Sequence, residues 1–387
     1  MALKTVANLR DSVSGMLSGL DLNNVFDLNG CFERAISTQI QKADIPEASN
    51  TQNINLYSGV YNYSCNSRVF GTEIKDIRPQ GISRNPWDYV YKKPSETFDR
   101  LKGYLDNGTM ATFEYSNGLP IIRIVSKIPV PENVIDSMDS TTGWTAAGSA
   151  SGLTLDSSVY YQSPSSLRFL LTGASTGTLT KTLSSTLDLS SYEDVGVAFL
   201  AIRIPDNSTA TDITSIQLKL GSDSTNYNNV SSTTGFLGSW TSGNWLLVSF
   251  DFSGASQTGT PDWSAIDYIQ ISITTLTTQT NFRVGGLWIS QPSPHQIFFQ
   301  SAAIFIPSGS TTAQTTITAT TDTIVLNDPA YNIYLHESAL EVLGNTSGGG
   351  GDSMRESTEK KLLELYARFR AKNPSESLNN IDNYYEE

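Results

Sequence analysis

Two proline-bracketed joints divide this chain and limit how it can fold. The first reads Ile128-Pro129-Val130-Pro131 and the second Gln291-Pro292-Ser293-Pro294. Each proline fixes its own φ and pushes the residue before it toward extended backbone, so both joints are expected to be semi-rigid linkers. Composition changes abruptly between them. Residues 133–292 hold 52 Ser and Thr and five of the six Trp, with 12 acidic residues against 5 basic ones. The flanks carry helical patterns that the middle lacks. A domain whose ends lie close together can be threaded into a surface loop of another. The expected architecture is therefore α+β and multidomain: a discontinuous host, 1–132 plus 293–387, with an all-β insert at 133–292 that the host fold does not need.

In the host, Leu3, Val6, Leu9, Val13, Met16, Leu17 and Leu20 draw one apolar helical face. A second helix is expected from Asn29, with Phe32, Ala35, Ile36 and Ile40 on one side. Strands are expected at Leu56–Tyr63 and Gly71–Arg78, then at Met110–Tyr115 and Leu119–Val125 around Asn117-Gly118, a strong hairpin signal. The β pattern resumes over Ile297–Ile306. Asp328-Pro329 opens a helix as cap and first-turn proline, and Gly344 closes it. After the Gly348–Gly351 spacer, Ser353-Met-Arg-Glu356 reads as a capping box for a last helix reaching about Lys372. Its stripe of Leu362, Leu365, Tyr366 and Phe369, together with Tyr384 and Tyr385 of the polar tail, is expected to form an assembly interface.

In the insert the period is two. Ile216, Leu218 and Leu220 alternate with polar residues, as do Leu246, Val248, Phe250 and Phe252, and Ile269, Ile271 and Ile273. Further strands fall at Ser166–Leu171, Val195–Ile204 and Phe282–Ile289. Many short strands in such a length predict a two-sheet sandwich. The stretches Asp139-Ser-Thr-Thr-Gly-Trp144, Gly238-Ser-Trp-Thr-Ser-Gly-Asn-Trp245 and Asp262-Trp-Ser-Ala-Ile-Asp-Tyr268 resemble the jelly-roll fold of carbohydrate-binding modules. That resemblance implies glycan contact through Trp240, Trp245 or Trp263, whose flat faces suit the C–H face of a pyranose, although Trp is equally a core residue of a small sandwich. Asp136 and Asp139 could ligate a structural calcium or simply be solvated loop carboxylates.

No arrangement of residues points to catalysis. Asp251, Asp262 and Asp267 sit beside turns without a recognisable acid/base pairing. His295 and His336, the sole histidines, have no nucleophile in frame and no zinc spacing with Cys31 or Cys65, which read as reduced packing residues. Net charge is −13 with no Lys/Arg run, which argues against gripping nucleic acid. No apolar run is long enough to cross a bilayer, and Arg10 and Asp11 fall where a signal peptide needs its apolar stretch, so synthesis in a cytoplasm is expected.

Several host segments together resemble the head–tail adaptor (connector, or neck) proteins of tailed bacteriophages. They are Asn8-Leu-Arg-Asp-Ser-Val-Ser-Gly-Met-Leu-Ser-Gly19, Leu28-Asn-Gly-Cys-Phe-Glu-Arg-Ala35, Leu56-Tyr-Ser-Gly-Val-Tyr-Asn-Tyr63, Lys75-Asp-Ile-Arg-Pro79, Glu337-Ser-Ala-Leu-Glu-Val-Leu-Gly344 and Leu365-Tyr-Ala-Arg-Phe-Arg-Ala-Lys-Asn-Pro374. The resemblance implies a virion structural protein, a homo-oligomeric ring of about twelve copies, portal and tail proteins as partners, and DNA that passes without tight binding. It implies no cofactor. The inserted sandwich departs from the usual small size of such adaptors and is expected to face outward. A tail fibre or receptor-binding protein carrying a carbohydrate-binding domain is the alternative; it would normally show a repetitive stalk, which is absent here. A polysaccharide-degrading enzyme is disfavoured by the missing acid/base pair.

Overall fold

The structure is a computed structural model describing residues 4–18, 21–42, 45, 49–65, 74–79, 90–92, 109–116, 119–126, 133–206, 212–300, 303–311, 313–345 and 352–372. The described residues are mostly β, with four α-helices among them: α1 (Val6–Met16), α2 (Leu28–Lys42), α3 (Asp328–Gly344) and α4 (Asp352–Lys372).

The helices come from both ends of the chain and share one apolar cluster, in which Val6, Leu9, Val13, Phe32 and Ile36 meet Ile333, Tyr334, Val342, Leu362, Tyr366 and Phe369. Helix α3 lies at the centre, packed against α1, α2 and α4. Its buried residues, Ala330, Ile333, Tyr334, Glu337, Ser338, Ala339 and Val342, face these neighbours, while Asp328, Asn332 and Gly344 remain exposed. Asn327, rather than Asp328, is its N-cap, taking the Ala330 N–H at 2.8 Å, while Pro329 occupies the first turn. Cross-links tie the two ends: the Ile324 N–H donates to the Lys4 carbonyl at 2.7 Å, the Gln39 amide to the Ala330 carbonyl at 2.9 Å, and the Tyr334 hydroxyl to the Phe32 carbonyl at 3.1 Å.

Residues 133–290 form a sandwich of two six-stranded sheets. One runs in the order Trp245–Asp251, Val197–Arg203, Gln279–Ser290, Ser166–Leu171, Ala150–Asp156, with Asn133–Asp136 also beside Gln279–Ser290. The other runs Ser256–Thr258, Tyr227–Ser232, Ile213–Gly221, Ile266–Thr275, Ser175–Leu187, Trp144–Gly148. Their inner faces meet through Leu200, Ile202, Val248, Phe250, Leu287 and Ile289 on one side and Ile216, Leu218, Ile269 and Ile271 on the other.

The first sheet is covered on its outer face as well. Val197, Phe199, Ala201 and Trp288 join a third cluster with Val60, Tyr63, Ile77, Ile122, Ile297 and Phe299 of the flanking segments. Apart from Val60, in the turn before Asn62, those residues belong to two small sheets. One has Ser293–Gln300 between Ser49–Leu56 and Ile74–Pro79; the other has the order Asn62–Ser64, Leu119–Ser126, Thr109–Ser116, Val90–Lys92. The Ser116↔Leu119 register brackets the expected Asn117-Gly118 turn, which itself lies outside the described residues.

Three local expectations are corrected. The second joint is no linker: the last sandwich strand ends at Ser290 and Ser293–Gln300 begins at once, with Pro294 paired opposite Asn55 near the strand's start, where a missing N–H is tolerated. The strand expected at Leu56–Tyr63 is split, because Gly59 takes φ +74° and turns the chain between Leu56 and Asn62. The strand expected at Ile297–Ile306 is not continuous: Ser293–Gln300 and Phe305–Ile306 are separate strands, with Ala303 and Ile304 in neither. The first joint lies outside the described residues.

Candidate functional site

Two concavities stand out. The first is a cleft of ≈ 130 Å³ at the seam between the sandwich and residues 61–62. Tyr161 and Trp245 form its aromatic side, their ring centroids 5.8 Å apart, and Tyr161 also stacks on buried Trp288 at 6.2 Å. Phe236 is held by its N–H donating to the Leu247 carbonyl at 2.8 Å. The turn that carries it closes with the Gly238 N–H on the Gly235 carbonyl at 3.0 Å, and Gly238 has φ +122°, which a side chain would strain. Burial pushes the Tyr161 phenol up to about 12, so it stays protonated at neutral pH. Asn62, from the flanking sheet, lines the same cleft, and its buried Oδ1 has no hydrogen-bond partner among the described residues.

The second is a groove of ≈ 780 Å³ between α2, α3 and α4. Glu337 on its lining is almost fully buried and accepts from Lys42 Nζ and the Tyr366 hydroxyl, both at 2.7 Å. Arg34 links Asp27 and Glu341, each at 3.2 Å. Beside these polar groups stand Phe26, 85% exposed, and Leu363, 72% exposed.

The tryptophans expected to meet sugars divide. Trp240 and Trp263 are buried in the sandwich core, Trp263 edge-on to Phe252 at 5.4 Å, so neither leaves a ring face for a ligand. Only Trp245 of the three, half-buried, reaches a cleft. The expected interface stripe on α4 is likewise turned inward: Leu362, Tyr366 and Phe369 are buried against the other helices and Leu365 packs beside them. The exposed apolar side chain is Leu363, off that stripe, while Tyr384 and Tyr385 lie outside the described residues. Helix phase explains the swap, since α3 takes the stripe as its own packing partner.

Asp136 is not free to bind calcium. Its carboxylate accepts from Lys181 Nζ at 2.6 Å, the Met138 N–H at 2.8 Å and the Trp144 indole N–H at 3.4 Å, so an ammonium already supplies the positive charge. Asp139 accepts from the Ser137 and Ser163 hydroxyls, which hold its pKa below the usual carboxylate range. Among the described residues, no group of three or more His, Cys, Asp or Glu is placed to hold a metal ion. Asp251 and Asp262 accept turn N–H groups from Ser253 and Ser264, and Asp267 sits within the strand Ile266–Thr275. His295 Nδ1 lies 2.9 Å from the Ser293 carbonyl oxygen, and His336 Nδ1 lies 2.7 Å from that of Asn332. Cys31 is buried, with burial raising its thiol pKa, and Cys65 is half-buried; neither forms a disulfide. No described helix is long and apolar enough to cross a membrane.

No protein-family model and no curated protein matches this chain. Among solved structures, it is similar to a family 11 carbohydrate-binding module from Clostridium thermocellum: 15% identity and TM-score 0.31, over 42% of this chain and 96% of that one. A family 30 carbohydrate-binding module of a cellulosomal cellulase from the same organism gives 15% and 0.30, over 44% and 98%. An exo-beta-agarase gives 10% and 0.31, over 42% of this chain and 24% of its own. At such scores, the sandwich assignment stands on its own strand pairings.

Proposed function

We propose that this chain is a non-catalytic structural adaptor: a helical base built discontinuously from both ends of the chain, carrying a β-sandwich, as in the head–tail adaptor rings of tailed bacteriophages that its sequence resembles. The observation that carries this reading is the groove between α2, α3 and α4, with Phe26 and Leu363 exposed beside it. Large apolar side chains left in water beside a groove mark a surface that meets another protein. The reading places the chain in a virion, as a ring of about twelve copies between portal and tail proteins, with DNA passing through.

The test is direct. Full-length protein, alone and mixed with the portal protein, is examined by analytical ultracentrifugation and negative-stain imaging. Rings are expected, and Phe26→Ser with Leu363→Ser should abolish them while leaving helix content unchanged. A chain that stays monomeric with and without its portal would rule the reading out.

A second reading, glycan contact by the sandwich, is favoured by the aromatic cleft of Tyr161 and Trp245. It is compatible with the first, since an adaptor can display a binding module outward. It is also the core of the alternative, a tail fibre or receptor-binding protein. Glycan-array binding by the full-length protein tests it.

A further inference from the structure

The geometry points to a subsite for one neutral pyranose ring at the seam, built jointly by the sandwich and the flanking residues 61–62, so that neither part completes it alone. The inference rests on the glycan reading and specifies where the sugar lies and what kind it is.

Four observations converge. The cleft is walled by Tyr161 and Trp245, and a pyranose offers an apolar C–H face to such rings. Its volume, ≈ 130 Å³, is well below the roughly 300–1,000 Å³ of sites for drug-sized ligands, which suits a single ring and not a buried chain. Asn62 lines the cleft, and its carbonyl oxygen is buried without a partner among the described residues. Buried acceptors are seldom left so, and an O–H donor would complete this one, whereas a purely apolar occupant would not. Finally, no Lys, Arg, Asp or Glu among the described residues lines the cleft, so none of them compensates the charge of a sialic or uronic acid. The walls are also pre-set: the Gly235–Gly238 turn fixes Phe236 before any ligand arrives, which limits the ordering cost of binding.

The experiment uses the full-length chain on an array of neutral and acidic glycans, followed by titration of the strongest binder and of methyl glucoside, galactoside and mannoside at millimolar concentration. Intrinsic tryptophan fluorescence should change on binding, and the change should vanish in Trp245→Phe. Asn62→Leu, which replaces the unpaired carbonyl oxygen by an apolar group of similar size, should fold normally and bind about five- to tenfold more weakly. Trp245→Ala should weaken binding about tenfold or more, while the core variant Trp263→Phe should not. If a glycan binds equally well to Asn62→Leu and Trp245→Ala, the seam is not its site, though the glycan reading survives. Binding of acidic glycans only, or a soaked crystal with only water on Asn62, also overturns the seam assignment. No binding to any sugar overturns both.

Discussion

The indole N–H of Trp288 donates to the Ser58 carbonyl at 3.0 Å, and the Ser58 N–H in turn donates to Ser290 Oγ at 2.9 Å. A turn of the flanking segment is thereby clamped to the last strand of the sandwich. Around that clamp Trp288 stacks on Phe199 at 5.9 Å, and Tyr57 packs against Phe199 at 5.0 Å. The sandwich is thus joined to the flanking segments by a small core shared between them.

The first prediction follows from that core. Trp288 is 1% exposed, so Trp288→Ala should cost about 3–5 kcal/mol by opening a cavity. Trp288→Phe keeps the stack but removes the hydrogen bond and should cost about 1–2 kcal/mol. Denaturant melts of both variants give these values. A loss under about 1 kcal/mol for the alanine variant would show that the seam is not a stabilising core.

The second concerns removal of residues 133–292, which the joints alone suggest is harmless. The seam argues otherwise for part of the host. Val60, Tyr63, Ile77, Ile122, Ile297 and Phe299 would lose Phe199 and Trp288 as partners, whereas the helical cluster would lose nothing. The deletion product should keep its helical circular dichroism yet lose hydrogen-exchange protection in the strands Ser49–Leu56, Asn62–Ser64, Ile74–Pro79 and Leu119–Ser126 and bind a hydrophobic dye. Full protection of those strands would restore the view that the insert is dispensable.

How much of this was legible beforehand depends on which face each residue uses. Alternation at Ile216–Leu220 and Ile269–Ile273 announced sandwich strands, because one side of that sheet meets water. The unbroken run Val197-Ala-Phe-Leu-Ala-Ile202 carried a second message, burial on both faces, and the structure places Phe199 outward in the seam and Leu200 inward. Trp245 was singled out from sequence, but its partners in the cleft, Asn62 and Tyr161, lie 183 and 84 residues before it, and no local pattern joins them. The α4 stripe was read correctly as apolar. Its partner was misjudged, since periodicity shows that a face is buried and not what buries it.

A third prediction corrects the expected role of α4. Truncation after Gly348 would uncover the side of α3 that carries Glu337 and remove Leu362, Tyr366 and Phe369 from the shared cluster. The whole helical part should then lose cooperative unfolding, beyond any effect on assembly. Tyr366→Phe tests one bond of that contact: the hydroxyl donates to a buried carboxylate, Glu337, at 2.7 Å, so its loss should cost about 1.5–3 kcal/mol. Thermal melts followed at a helical wavelength measure both.

Acid stability gives a fourth. Hydrogen bonds from Ser158, with the Arg283 guanidinium 2.8 Å away, hold Asp156 well below the ordinary carboxylate range despite its burial. A carboxyl whose folded pKa lies below its unfolded value of about 3.9 stabilises the fold fully above that value. The contribution then fades as pH falls toward the folded pKa. The sandwich should therefore lose stability below about pH 4. Asp156→Asn should be less stable at neutral pH and show a shallower loss on acidification. Parallel acid profiles for the two proteins would dismiss Asp156 as a source of that dependence.

The fifth prediction concerns DNA. Tight duplex binding needs a cluster of Lys and Arg that displaces counterions from phosphates. Here the basic side chains are scattered, and many are already engaged: Lys4 with Asp328, Arg34 with Asp27 and Glu341, Lys42 with Glu337, Lys181 with Asp136, Arg203 with Asp206 and Arg283 with Asp156. In sequence, Lys92-Lys93 is the expected nearest approach to a patch, but Lys360-Lys361 equals it and Arg368-Phe-Arg370-Ala-Lys372 exceeds it; each is too short to hold a duplex. With −13 per chain, a ring would repel phosphates within a Debye length of about 8–10 Å. Polarisation titration with labelled duplex at about 150 mM salt should show no measurable affinity. Micromolar or tighter binding would require a basic face assembled between subunits, and would replace a passive conduit with one that grips its cargo.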